Sequence, residues 1–541
     1  MFVIRTAAGP DTGIGHVIRM SHLARALIGR GQSVLVLLTA PYPAVTGYLD
    51  DLDVEYLYPE RAGLPEEELG DSPTAQRADA RKCLERLAGM AVDRVIVDSY
   101  RLGIHWEREV ASAGLPLAAF DDLGNRRHAA ELIVDARWAG QEATPRRYEG
   151  LVPAHARRLL GPAYAVLHPG YAEAGPECPP AVRNILFSLG GGGDLSLISA
   201  VIDALLVSLP EDWTVTAVIG PLAYHGDRLR ELSRTDRRLQ LLESPPQLLE
   251  AYRNALLFVG ALGTSLYELS ALKVPALTFS LAANQDNETK DLEALGHYLH
   301  LPRAEFEQAE RVAALIRTLL DNLDRLRALR HAAVVQVDGH GTERVVRALL
   351  GEPAEPPAAP LGNDNVVSEE RLSEQLAIRP VTDRDINHYR ESRNLAKNRQ
   401  NMTITEAIPR VEHYRWWFKT TRESFLLTDS GLPQLYIWHQ KAPFDGHEYL
   451  IGGWFVCDES VGFDRAAVAL EWQLQHTAQT HPDATWIAVI NKENRYVNLL
   501  NRYMGFTDVD PDSTEHAAIQ HFFGKADPEH FNYVKYGPSR D

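Results

Sequence analysis

One pattern constrains this chain more than any other, and it occurs twice: a short apolar run, then glycines, then a segment with apolar residues at helical spacing. In the first occurrence, Phe2 to Ile4 lead into a glycine-bearing loop, Gly9 to His16, and on to Val17, Met20, Ala24, Leu27 and Ile28. That reads as strand, loop, helix. The second begins at NILFSLGGGGD, 184 to 194. After the first unit come the strand-like VLVLL (34 to 38), VEYLY (54 to 58), RVIVD (94 to 98), LPLAAF (115 to 120) and ELIVD (131 to 135), with helical stretches such as Ala75 to Met90 between them. After the second come WTVTAVIG (213 to 220), LQLLE (239 to 243), ALLFVGALG (255 to 263) and VPALTFS (274 to 280), closed by helical segments from Glu305 to Leu350. Strands alternating with helices predict βαβ units and parallel sheets. The expectation is an α/β chain with two Rossmann-like halves, 1 to 175 and 176 to 351. Ligands of such halves collect at the carboxyl ends of the strands.

A chain of 541 residues exceeds what one core supports, so further domains are expected. Residues 352 to 376 begin with the proline-rich EPAEPPAAPLGNDN and read as a semi-rigid linker. Beyond them the composition turns aromatic, and 377 to 541 reads as a compact α+β domain. A net charge of −18 disfavours nucleic acid or an anionic membrane as partner and leaves room for a small ligand. Three widely spaced cysteines, Cys83, Cys178 and Cys457, suit a reducing cytoplasm and form no metal or disulfide framework. With no basic leader and no apolar run near 18 residues, a cytoplasmic location is expected. Composition says nothing about oligomeric state.

Within the opening loop, Gly13 and Gly15 allow close backbone approach to a ligand, and the helix that follows turns unpaired N–H groups toward the same space. Ile18 stands where G-x-G-x-x-G would need its third glycine, which argues against a dinucleotide. His16 can exchange a proton near neutral pH or be an unreactive helix-terminal histidine. In GALGTSLYELSALKVP (260 to 275), Thr264 and Ser265 are placed to cap a helix whose amides would hold a diphosphate. Glu268 then accepts from ribose hydroxyls or merely complements the helix dipole. Asn284 and Gln285 sit in a polar loop suited to sugar or phosphate, or in a plain turn. Asp98, Ser99 and Tyr100 end a strand and so face the cleft.

Taken jointly and in order, GIGHVIR (13 to 19), IVDSYRL (96 to 102), AAFDDLGNR (118 to 126), LLGPAYAVLHPGY (159 to 171), FSLGGGGD (187 to 194) and GALGTSLYELSALKVPAL through AANQ resemble the UDP-sugar hydrolase of pseudaminic acid biosynthesis. That enzyme has a glycosyltransferase-B-type fold, related to the glycosyltransferase that makes the second lipid-linked peptidoglycan precursor. The resemblance covers about residues 1 to 350. It implies hydrolysis of a UDP-2,4-diacetamido-2,4,6-trideoxy-β-L-altrose type substrate by water attack at the anomeric carbon, with inversion. It also implies His16 as the catalytic histidine, with Tyr100 and Asp98 beside the sugar. UDP would be held by Gly13, Gly15, Arg19, Gly190, Gly191, Gly263, Thr264, Ser265, Glu268, Asn284 and Gln285. No cofactor or metal is implied for the hydrolysis, since a helix N-terminus can offset the charge of the departing diphosphate. His168 stands where the pattern has arginine.

From Ala377 to about Tyr536 the chain resembles the GNAT acetyltransferases, and in particular the N-acetyltransferase of the same pathway, through IRPVTDRDINHYRESRN, VEHYRWWF and VINKENRYVNLLNRYMGF. That resemblance implies acetyl-CoA as cofactor, with Gly462, Asn494 and Tyr503 at its site and the tyrosine as proton donor to the thiolate. ESVGFD (459 to 464) stands at the pyrophosphate loop, where Glu459 and Asp464 replace a basic or amide residue and a small one. Two carboxylates there would repel a pyrophosphate. Two other readings stay open: a UDP-sugar glycosyltransferase using an acceptor other than water, and a C-terminal domain that only binds.

Overall fold

In a computed structural model, the described residues are 1–9, 12–61, 70–173, 182–281, 289–353, 368–400, 402, 404–524 and 526–537. The chain divides into two compact units, Met1–Gly362 and Asn363–Asp541.

The first unit holds two parallel sheets. Strands β1 (Phe2–Thr6), β2 (Val34–Leu38), β3 (Asp53–Tyr56), β4 (Arg94–Asp98), β5 (Leu117–Phe120), β6 (Leu132–Asp135) and β7 (Arg157–Leu160) lie in the order β3-β2-β1-β4-β5-β6-β7. Every pairing is parallel. The second sheet is built from β8 (Arg183–Ser188), β10 (Trp213–Ile219), β12 (Leu239–Glu243), β13 (Leu257–Ala261), β14 (Ala276–Phe279) and β15 (Leu299–Leu301), in the order β12-β10-β8-β13-β14-β15, again all parallel. The central strands are buried along their whole length, which is why they read as apolar runs and not as alternation. In both sheets the winding reverses beside the first strand, between β1 and β4 and between β8 and β13. These switch points are where open α/β sheets place ligands.

Two features tie the halves together. The helix Gly341–Leu349 returns to the first half, where Val345, Val346, Ala348 and Leu349 share a core with Ile4, Val17 and Met20. The two glycine loops also meet. A Cβ added to Gly191 would lie 2.6 Å from Cγ1 of Ile14, so glycine is what lets the second loop close on the first. Within that loop Gly192–Asp194 forms a short strand, β9, parallel to β11 (Leu222–Tyr224). Strands β7 and β15 have no counterpart in the sequence reading.

The second unit is one mixed sheet. Its strands β16 (Glu370–Arg371), β17 (Leu376–Pro380), β18 (Glu423–Asp429), β19 (Leu432–Phe444), β20 (His447–Val456), β21 (Thr485–Asn491), β22 (Thr507–Asp508) and β23 (Phe531–Tyr536) lie in the order β16-β17-β18-β19-β20-β21-β23-β22. Strand β16 pairs with β17, so the described unit starts ahead of residue 377. Asp445 and Gly446, both at positive φ, make the two-residue turn that folds β19 onto β20. The helix Phe463–Thr480 buries Ala466, Ala469, Leu470 and Leu474 in a core shared with Leu427, Ile437 and Leu450. All pairings are antiparallel except β20 with β21, which are parallel over only two residue pairs, Tyr449 with Thr485 and Leu450 with Trp486. Beyond those pairs β20 and β21 are no longer joined to each other, although each keeps its other neighbour.

Candidate active site in the first unit

His16 lies in the first turn of the helix Gly15–Gly29, directly after β1, and Asp98 is the last residue of β4. Register aligns the ends of these neighbouring strands, Thr6 against Asp98, at the first switch point. There His16 Nδ1 lies 2.7 Å from Asp98 Oδ1, and both side chains are buried, 6% and 1% exposed. Arg19, one turn along the helix, donates from Nη2 to Asp98 Oδ1 at 2.6 Å and from Nε to Oδ2 at 2.9 Å. Burial alone would raise the Asp98 carboxyl, but Arg19 and His16 outweigh it and hold it at about 2. An ionised carboxylate on Nδ1 keeps the imidazole proton there and leaves Nε2 as the ring's acceptor. Tyr100 sets its ring edge against His16, centroids 4.6 Å apart, while remaining 46% exposed. Burial of the phenol, together with Asp122 bonded to it, pushes Tyr100 above its usual range, so it stays protonated.

Arg19 was expected among the residues that bind the UDP-sugar. The structure places it on Asp98 and, at 3.4 Å, on Asp122, so its charge is committed within the protein. Asp122 belongs to the AAFDDLGNR stretch, where two adjacent carboxylates at a strand end are the signal that could have pointed to it. Its neighbour Asp121 anchors a buried network. Tyr148 Oη donates within reach of Asp121 Oδ2 (2.9 Å) and Asp135 Oδ2 (3.0 Å). His128 is held between Glu107 (2.7 Å) and Asp121 (3.5 Å). Burial works against charge on His128, but the two carboxylates prevail and raise it to about 9.

At the second switch point, β13 ends at Ala261 and the helix Ser265–Leu272 begins after Gly263 and Thr264. No side chain caps this helix, nor the helix that carries His16. Ser265 does not cap as anticipated. Its hydroxyl, nine-tenths buried, donates back to the Ala261 carbonyl at 3.1 Å. Glu268 sits in the first turn and accepts from the Tyr171 hydroxyl at 2.9 Å. Burial raises its carboxyl to about 7 against the opposing pull of hydrogen bonds from Tyr171 and Tyr252. The next residue back, Tyr267, is raised by burial and then by Asp135 and Asp122 of the first half, with Arg19 opposing. Gly190 and Gly191 follow β8 beside it. Gly13, at positive φ, turns the loop ahead of His16, and Gly15 opens the helix. Asn284 and Gln285 lie outside the described residues. His168 keeps Nδ1 on the Gly170 amide at 3.1 Å and packs 5.6 Å from the His22 ring.

In the second unit the expected cofactor residues lie at the ends of two different helices. Gly462 precedes the helix Phe463–Thr480 and lines a cavity of about 410 Å³ together with Asp458, Ser460, Asp464 and Arg465. Asn494 caps the helix Arg495–Tyr503, accepting from the Val497 amide at 3.3 Å, which accounts for it structurally. Tyr503 is 83% exposed, a poor position for a proton donor that must meet a sheltered thiolate.

No protein-family model matches the chain. Among curated proteins it is similar to the spore coat polysaccharide biosynthesis protein SpsG of Bacillus subtilis (strain 168), at 26% identity over 202 residues, which is 37% of this chain. The chain spans 59% of the length of that relative. Among solved structures it is similar to MurG of Acinetobacter baumannii, with 16% identity, coverage of 65% of this chain and 99% of that one, and a TM-score of 0.43. It is also similar to the UDP-GlcNAc 2-epimerase of Neisseria meningitidis bound to UDP-GlcNAc, with 12% identity, coverage of 65% and 100%, and a TM-score of 0.42. Among the described residues no helix is long and apolar enough to cross a membrane.

Proposed function

We propose that the first unit binds a UDP-linked diacetamido-trideoxy sugar, of the 2,4-diacetamido-2,4,6-trideoxy-β-L-altrose type, and hydrolyses it to UDP and free sugar. The observation that carries this reading is the histidine oriented by a buried, ionised carboxylate at one switch point, together with the helix N-terminus without a side-chain cap at the other. In this mechanism His16 Nε2 takes a proton from water as the water oxygen bonds to the anomeric carbon. The bond from that carbon to the diphosphate oxygen breaks on the opposite side, its electron pair leaves with UDP, and the configuration inverts. A base within hydrogen-bond reach contributes typically ~100- to 10,000-fold in rate. The amides opening the helix Ser265–Leu272 offset charge on the departing diphosphate. Glu268 suits the ribose hydroxyls, because near neutral pH its carboxyl can both donate and accept. The likeness to SpsG, named for polysaccharide biosynthesis, supports a carbohydrate substrate.

The test is incubation of the purified chain with UDP-diacetamido sugars and no acceptor. Release of UDP with one equivalent of free sugar, slowed ~100- to 10,000-fold in His16→Ala, is the expected result. UDP release that begins only when an acceptor alcohol is added would replace hydrolysis by glycosyl transfer.

For the second unit we propose acetyl-CoA binding. The parting of β20 and β21 supports it, since strands that separate mid-sheet leave amides and carbonyls able to pair with an extended, amide-bearing ligand. Acetyl transfer to a 4-amino-sugar nucleotide by the full chain tests this reading, and absence of acetyl-CoA binding would reduce the unit to a non-catalytic module.

A further inference from the structure

Independently of either reading above, we propose that Glu423, His439 and His481 of the second unit form a site for a first-row divalent cation of the zinc class. The three residues are 16 and 42 positions apart in sequence, and strand register together with one helix end brings them together. Glu423, first residue of β18, lies directly opposite His439 on β19, so the two side chains share a face of the sheet. His481 is the residue that ends the helix Phe463–Thr480. One ligand atom from each, a carboxylate oxygen or a ring nitrogen, lies within 4.8 Å of the other two.

An ion pair accounts for only part of this arrangement. His481 Nε2 meets Glu423 Oε1 at 3.2 Å, a hydrogen bond. His439 Nε2 stands 3.8 Å from Glu423 Oε2, beyond hydrogen-bond length. His439 is wholly buried, and both its ring nitrogens lack a hydrogen-bond partner. A buried imidazole left in that state is destabilising, because its polar atoms have lost water and gained no partner. A cation between the three groups would give one of those nitrogens a partner, together with one oxygen of Glu423 and one nitrogen of His481.

The surroundings suit a cation. Phe425 stacks on the His439 ring with centroids 5.7 Å apart, and the Trp486 edge lies at 6.2 Å, so the imidazole is fixed in orientation. The C-terminal end of an 18-residue helix carries partial negative charge toward His481. Arg422 is adjacent in sequence, but side chains alternate along a strand, and its guanidinium lies 3.5 Å over the Trp438 ring on the other face. Two imidazoles and one carboxylate are a donor set used by zinc, with a fourth position left for water. His476, its ring 5.8 Å from that of His439, is a further donor nearby. Metal–ligand bonds of about 2.0–2.2 Å imply ligand atoms about 3.3 Å apart. Glu423, 44% exposed, has the freedom to shorten its own distances, now 3.2 Å to His481 and 3.8 Å to His439. Bound metal would clamp the start of the β18–β19 pair to the end of the helix.

The experiment uses the full chain, treated with chelator, dialysed and titrated with Co²⁺ and then Zn²⁺. Wild type is expected to bind one equivalent with the visible ligand-field bands of a low-coordinate cobalt site, to exchange cobalt for zinc, and to melt at higher temperature with zinc present. His439 lies in the core, so the variants are made at the outer ligands. Glu423→Gln and His481→Ala should each weaken Co²⁺ binding by more than the ~10- to 100-fold that loss of a partner outside the coordination sphere costs. His155→Ala, at an exposed histidine of the first unit, should leave it unchanged. Equal stoichiometry and affinity in wild type and in the Glu423→Gln/His481→Ala double variant would overturn the proposal, as would a wild-type chain that takes up no cobalt.

Discussion

Glu268 gives the first unit a calculable pH dependence. Its carboxyl rises from the ordinary 4.5 to about 7, chiefly through burial. A carboxyl raised in the folded state favours folding fully below its unfolded value, and that contribution is lost as pH climbs through the folded value. At ~1.4 kcal/mol per pH unit, the loss between pH 4.5 and 7 is about 3 kcal/mol. Glu268→Gln cannot ionise. It keeps an oxygen for the Tyr171 hydroxyl but turns an amide toward its second tyrosine partner, Tyr252, at a cost of about 1 kcal/mol. The two proteins should therefore be equally stable near pH 5. The variant should gain with a slope of ~1.4 kcal/mol per pH unit through pH 7, then hold a lead of about 2 kcal/mol at pH 8. Urea unfolding of both proteins at closely spaced pH values measures this difference, with the transition that moves assigned to the first unit. A difference that stays constant from pH 5 to pH 8 would refute the reasoning, because it would mean that Glu268 titrates alike in the folded and unfolded chain.

Asp98→Asn removes the negative charge beside His16 Nδ1 and leaves one oxygen where His16 and Arg19 now share two, with Asp122 at 3.4 Å as the remaining carboxylate on Arg19. UDP release should fall by ~100- to 10,000-fold, as in His16→Ala, and the double variant should be no slower than either, since the pair acts as a unit; losses that add would separate their roles. Gly191→Val should drive bulk into Ile14 and part the two loops, so calorimetry should show weaker UDP binding, recovered when Ile14→Ala is added. Asp464→Asn beside Gly462 should tighten acetyl-CoA binding several-fold, because one unit charge at ~4 Å is worth about 1 kcal/mol in water; unchanged affinity would move the pyrophosphate away from this cavity.

The parallel sheets were legible because their strands are buried on both faces. VLVLL at 34 to 38 or RVIVD at 94 to 98 has no solvent face to confuse with another period. The switch points were legible for a related reason, since glycines after β1, β8 and β13 mark where backbone must come close to something. Other features lay outside any local pattern. Strands β7, β9 and β15 have three or four residues, too few for a period to register. A cation one turn from a helix start suits an anion of either origin, so the bond of Arg19 to Asp98, 79 residues away, had no local signal. Ser265 was expected to cap because serine at a helix start often does, but burial against the preceding turn made the Ala261 carbonyl the nearer acceptor. His439 is the sharpest case. In sequence it is one polar residue in an aromatic strand, LYIWHQ, and nothing local separates it from a satisfied core histidine. Only the pairing of β18 with β19, which sets Glu423 opposite it, and the length of the following helix, which delivers His481, turn three scattered residues into a set of ligands. Chemistry that depends on register and element length is written in the sequence through the turns and cores that set them, so it becomes readable only after the fold has been built.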